Sequence, residues 1–129
     1  MLAIDTNLIV RYLTADHPIQ STKARALIDG NDVFVCTTVL LEAEWVLRSV
    51  YRYAPVPLAR ALAAFAGLPR VKLEDAALIA KALDWIEKGV DFADALHLLR
   101  AEGCDAFVSF DQSFAKRANT LSEVKVRLP

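Results

Sequence analysis

No apolar run in the chain approaches the roughly 20 residues that cross a bilayer, so a membrane-spanning segment is not expected. Cysteine is scarce as well: only Cys36 and Cys104 occur, both in apolar surroundings. They read as buried small hydrophobes of a cytosolic protein, with the paired thiols of a secreted protein as the alternative. Asp5 and Arg11 fall where a signal peptide would hold a continuous apolar region, so export is not expected and a cytoplasmic location is. Charge of one sign is missing too. Fifteen basic against 16 acidic residues leave a net charge of −1, whereas nucleic-acid binding usually goes with a clearly basic domain. Any polyanion must then be held by local patches or by bound metal. Repeats, low-complexity stretches and linkers are also absent.

What is abundant is apolar side chain, 55% of 129 residues, which fits one domain over residues 1–129 with most elements buried on at least one face. The first thirteen residues organise the rest. Leu2, Ala3 and Ile4 read as a short buried strand. Thr6 or Asn7 can cap a helix whose apolar positions Leu8, Ile9, Tyr12 and Leu13 recur at helical spacing. Asp5 therefore stands at the carboxyl end of a strand, where open α/β sheets place their ligand crevices. A charge there is expensive unless something pairs with it.

Asp16-His17-Pro18 breaks the first helix, since proline disfavours helix in the residue before it. A second helix is expected over 19–28, a strand over 33–36 rich in β-branched and aromatic residues, and a long helix over 39–53 capped by Thr37 or Thr38. Pro55 and Pro57 separate that helix from an Ala-rich one over 58–65. A strand over Val71–Leu73 follows, then helices over 75–88 and 91–101 closed by Gly89 and Gly103. A strand over 105–109, a short helix over 111–118 and an edge strand over 124–128 complete the chain. Strands alternating with helices imply one α/β domain with a parallel sheet covered on both faces.

Four carboxylates stand at strand ends or in the early turns of the helices after them: Asp5, Glu42, Asp94 and Asp111. In a parallel sheet such ends share an edge. Converged and bare, these groups raise one another's pKa, and a divalent cation relieves the repulsion. Mg²⁺ favours carboxylate oxygens and is usually completed by substrate phosphates, which suits phosphoryl chemistry with an activated water.

Asp5-Thr6-Asn7, Glu42 within Leu-Leu-Glu-Ala, Asp94 within Asp-Phe-Ala-Asp-Ala-Leu, and Ser109-Phe-Asp111 together resemble the PIN-domain ribonucleases, over the full length of the chain. The order and size are similar to the VapC-like toxins of VapBC toxin–antitoxin pairs. The resemblance implies a single-domain three-layer α/β/α sandwich with a central, mostly parallel sheet. It implies Mg²⁺- or Mn²⁺-dependent RNA endonuclease activity, homodimerisation and inhibition by a VapB-like antitoxin. Carried over by position, Asp5, Glu42, Asp94 and Asp111 are its metal-binding and catalytic residues.

Each of these residues also has a plainer reading. Asp5, Asp91 and Asp111 are good N-caps, and Asp91 is read first as the cap of its helix and second as an outer member of the site. Glu44 is read as solvent-facing or paired with Arg48 at i+4. Thr6 and Ser109 offer hydroxyls that help position a metal-bound water or its ligand, and Asn7 is a neutral hydrogen-bonding member or part of a cap. His97, with no nucleophile beside it, is read as packing or supporting, and His17 as loop surface. Arg48, Arg52, Lys116 and Arg117 line an RNA path or simply solvate helix surfaces. Trp45, Tyr51, Tyr53 and Trp85 are read as core or dimer-interface packing before base stacking. Two rivals stand beside the nuclease. An aspartyl-nucleophile phosphatase wants a second Asp where Asn7 stands, and a PIN-like module that only binds has no reason to keep so much like charge together.

Overall fold

The computed structural model describes residues 1–129, which divide into two compact units, 1–76 and 77–129. In the first unit the order is β1 (Leu2–Ala3), α1 (Thr6–Thr14), α2 (Pro18–Gly30), β2 (Val33–Val35), α3 (Thr37–Ser49), α4 (Pro55–Ala66) and β3 (Val71–Leu73). The strands form a parallel sheet in the order β1-β2-β3, with Leu2 opposite Val33, and Val33 opposite Val71. The middle strand explains its own composition: Val33 and Val35 are fully buried, as a strand covered on both faces requires. Ile9, Leu40, Leu47, Leu58, Leu62 and Phe65 from the helices complete that core. Tyr12 meets Phe65 edge to face at 5.7 Å between ring centres.

The second unit holds α5 (Ala76–Glu87, whose first residue is the boundary), α6 (Phe92–Leu99), β4 (Phe107–Val108), α7 (Gln112–Ala118) and β5 (Val126–Arg127). Strands β4 and β5 pair in parallel. Ile79, Ala82, Trp85, Phe92, Leu98 and Phe114 are buried. Asn119 fastens α7 to β5, its side chain donating to the Val126 carbonyl at 2.9 Å and accepting the Val126 N–H at 2.8 Å. Gly89 ends α5 at φ +91°, a conformation L side chains rarely adopt. There the Val90 N–H reaches the Trp85 carbonyl and the Gly89 N–H that of Ile86, the paired bonds of a Schellman end. Every strand pair is parallel and every strand is followed or preceded by helix, so the α/β expectation holds.

Several local expectations do not hold. The first strand is not buried: Leu2 is 46% exposed and only Ile4 is covered, because β1 pairs on one side alone in this sheet. Helix α3 starts at Thr37 and ends at Ser49, and no threonine side chain caps it; the Thr37 N–H is taken by the Glu74 carboxylate at 2.8 Å. Beyond its C-cap Val50, the chain turns left-handed at Arg52, φ 59°. Pro55 and Pro57 do not precede α4 but form its first turn, where a missing N–H costs nothing. His17 is no idle loop residue, since its Nδ1 accepts the Gln20 N–H at 3.1 Å and caps α2. Cys104 is exposed and Cys36 only half-buried, so neither is the buried hydrophobe expected. Trp85 is core, but Trp45 is 53% exposed.

Candidate active site

In the first unit the turn after β1 is built by Asp5. Its carboxylate accepts the Thr6 N–H at 2.7 Å, and its carbonyl accepts the Leu8 N–H at 3.1 Å, which starts α1. Thr6 is buried, and its hydroxyl donates to Glu42 Oε1. That one bond joins the end of β1 to the second turn of α3, so the structure brings Asp5, Thr6 and Glu42 into one neighbourhood. Asn7 sits exposed on the first turn of α1. Glu44, two residues past Glu42, turns away: it is 2% exposed and held by Arg48 through bonds of 2.9 and 3.3 Å. The Arg48 pair is as expected and the solvent exposure is not. Beyond the carboxyl end of β2, the Thr37 hydroxyl is buried without a hydrogen-bond partner.

The second unit gathers Asp91, Asp94 and Asp111. Asp91 caps α6 by accepting the Asp94 N–H at 3.2 Å, and Asp111 caps α7 by accepting the Phe114 N–H at 3.0 Å. Both capping roles are as the sequence reads them. The Ser109 hydroxyl accepts the Asp111 N–H at 3.1 Å, so it shapes the Asp111 turn. Burial pushes the Asp94 carboxyl above the usual carboxylate range, and the charges of Asp91 and then Asp111 push it further; the exposed His97 pulls the other way. The three carboxylates line a pocket of about 150 Å³ with Gly89, Phe114 and Arg117. A larger pocket of about 330 Å³, between Trp85, Cys104 and Lys125, contains no candidate residue.

In neither unit do three or more His, Cys, Asp or Glu side chains close around one point where a metal ion would sit. The donor chemistry nevertheless suits a hard cation. The candidates are all carboxylate oxygens, and Asp94 is held against its own charge by groups that a cation would relieve. The sequence offers Arg117 as lining an RNA path or solvating a helix surface, and the structure sets it in the wall of this pocket; Phe110 carries no sequence signal beyond an aromatic ring between two polar strand-end residues.

A parallel α/β frame with carboxylates after its strands places ligand chemistry at the strand ends, and the family comparison is specific. The PIN domain model matches residues 2–119, and the chain belongs to that family. PIN domains are generally metal-dependent nucleases. No curated protein and no solved structure matches the chain. No helix is long and apolar enough to cross a membrane.

Proposed function

We propose that this PIN domain is an Mg²⁺- or Mn²⁺-dependent RNA endonuclease of the VapC-like type, the toxin of a toxin–antitoxin pair acting in the cytoplasm. The observation that carries the catalytic part is Asp94, a half-buried carboxylate pressed by Asp91 and Asp111 in a pocket of a family of nucleases. Enzymes keep such self-repelling groups where a substrate or ion relieves them. Asp5, Glu42, Asp94 and Asp111 are the proposed metal-binding and catalytic residues. A bound divalent cation supplies Lewis acidity at the scissile phosphate and a lowered pKa for the attacking water. Thr6 orients Glu42, Asp91 fixes the first turn of α6 under Asp94, Ser109 fixes the turn of Asp111, and Asn7 offers a neutral hydrogen bond beside Asp5. No histidine is placed as a general base.

The toxin assignment rests on the motif resemblance. A homodimer and a VapB-like antitoxin agree with the large apolar side chains left in water on α2 and at α3, namely Ile19 at 66%, Trp45 at 53% and Val50 at 62%. A second reading, a PIN-like module that binds without cleaving, draws on the finding that in neither unit do three His, Cys, Asp or Glu side chains close around one point that could hold a metal ion.

Incubating antitoxin-free protein with a mixed cellular RNA pool, with and without Mg²⁺ or Mn²⁺ and beside Asp5→Asn, separates the two. Metal-dependent cutting that the variant loses is expected. A folded, metal-loaded wild type that cuts no RNA would favour the binding module.

A further inference from the structure

Three side chains tie α7 into the second unit. Phe114 packs edge to face on Phe107 at 5.8 Å between ring centres, and Asn119 fastens the helix to β5. Both join α7 to the β4-β5 sheet. The third runs elsewhere: Arg117 Nη1 donates to the Gly89 carbonyl at 2.9 Å, just beyond the end of α5. The arginine stem lies along that left-handed turn, since the point where a side chain on Gly89 would start is 3.7 Å from Arg117 Cδ and Nη1. Two residues past Gly89, Asp91 caps α6 by accepting the Asp94 N–H, and Asp94 stands in the first turn. At the other end of α7, its cap Asp111 lines the same pocket as Asp91, Asp94 and Arg117.

We infer that Arg117 is a positioning residue of the acidic pocket: its bond to the Gly89 carbonyl holds α7, and with it Asp111, at a set distance from the α6 turn that carries Asp94. The inference rests on the metal-dependent nuclease reading and names what shapes its site. Asp94 on one arm is pressed by the charge of Asp111 on the other, so the bare arms spread unless something restrains them. An ion pair between Arg117 and one of the three carboxylates would restrain them too, but it would cancel negative charge that a hard cation needs. A bond to a neutral carbonyl restrains the arms and leaves the carboxylates charged. Arg117 thus acts on the site through the backbone, not through its own charge.

The test measures Mn²⁺ binding to wild type and Arg117 variants without RNA, followed by loss of the free-ion EPR signal. Arg117→Met keeps most of the stem and removes the donor, and is expected to bind Mn²⁺ about 10- to 100-fold more weakly, as when a group that orients metal ligands is lost. Arg117→Lys keeps a donor for this single bond and should stay near wild type. The sign is decisive, because removing a positive charge beside a cation site would by itself tighten binding. Unchanged or tighter binding in Arg117→Met overturns the inference. Asn119→Ala, which loosens α7 from β5 instead, controls for general destabilisation, and an equal loss of affinity there would overturn it too. In metal-free protein, amide exchange at Val90 and Asp94 should quicken by up to about tenfold in Arg117→Met, the worth of one hydrogen bond, and not in Arg117→Lys. Equal exchange in all three proteins would mean that the bond restrains nothing, and the inference fails. In RNA cleavage Arg117→Met should need more Mn²⁺ while KM for RNA stays the same. A raised KM with an unchanged Mn²⁺ requirement would overturn the inference in favour of a substrate contact. If wild type binds Mn²⁺ and cleaves RNA and Arg117→Met matches it, this inference alone fails. A folded wild type that binds no Mn²⁺ and cuts no RNA takes the nuclease reading down with it.

Discussion

Asp5, Glu42 and Glu44 in residues 1–76 and Asp94 in residues 77–129 are held under opposite conditions. In the first unit each has a donor: Asp5 accepts the Thr6 N–H, Glu42 accepts the Thr6 hydroxyl, and the buried Glu44 is forked by Arg48. In the second, Asp94 is buried toward two other aspartates, and His97 is the only group that eases it. Hydrogen-bonded carboxylates add to a fold, whereas a carboxylate pressed by like charge subtracts from it until something binds. The pressed carboxylates of the second unit are thus the ones to which a ligand has most to offer.

The comparison breaks first at activity. Asp94→Asn is expected to reduce metal-dependent RNA cleavage by at least about 100-fold, in line with losing an electrostatic group of an active site, while the metal-free protein melts at a higher temperature than wild type. A lower melting temperature would mean that Asp94 stabilises the fold, contrary to the like-charge account.

Glu44→Ala probes the other side. It removes the buried carboxylate that Arg48 forks and should destabilise by about 2 kcal/mol, a fall in Tm of roughly 5–10 °C for a chain of this size. Glu42→Ala, on an exposed position of the same helix, should stay within about 1 kcal/mol and act on cleavage instead. Equal melting of the two variants would erase the distinction drawn between them.

Metal addition sharpens the contrast. At about 100 times its dissociation constant, Mn²⁺ should stabilise the wild type by about 2.7 kcal/mol, read as a rise in Tm that Asp94→Asn reduces. An equal rise in both proteins would place the metal away from Asp94.

The smallest effect concerns pH. Because the Asp94 carboxyl is raised in the folded protein, the folded state binds its proton more readily than the unfolded chain does. Stability of the metal-free protein should therefore gain as pH falls through the raised value toward the ordinary carboxylate range, and the gain should vanish in Asp94→Asn. Asp16 behaves in the opposite sense. The Tyr51 hydroxyl first, then Thr14 and Arg11, hold its carboxyl at about 2, so its contribution is present above the ordinary value and lost only in strong acid. Denaturant titrations over pH, wild type beside Asp94→Asn, read both signs.

Much of this is legible in the sequence. Period and punctuation placed all seven helices and five strands within a few residues, because an apolar stripe at helical spacing and a glycine such as Gly89 act locally. The caps Asp91 and Asp111 were legible for the same reason: a cap bonds a backbone N–H three residues away. The motif order also carried the family. Asp5, Glu42, Asp94 and Asp111 stood out as carboxylates at strand ends or in the early turns of the helices after them, which the sequence pattern displays directly.

Other features needed the fold, since they join residues far apart in the chain. The Thr6–Glu42 bond spans 36 positions and the Thr37–Glu74 bond 37, and no local pattern announces either. Burial of Glu44 and exposure of Trp45, neighbours on one helix, depend on which face the rest of the unit covers. The Arg117 guanidinium reaches the Gly89 carbonyl across 28 positions. The sequence by itself determined where helices and strands begin and which carboxylates are suspect, because those follow from local backbone chemistry. Only the tertiary structure decided which of those carboxylates are satisfied and which are pressed together, because charge acts through space and not along the chain.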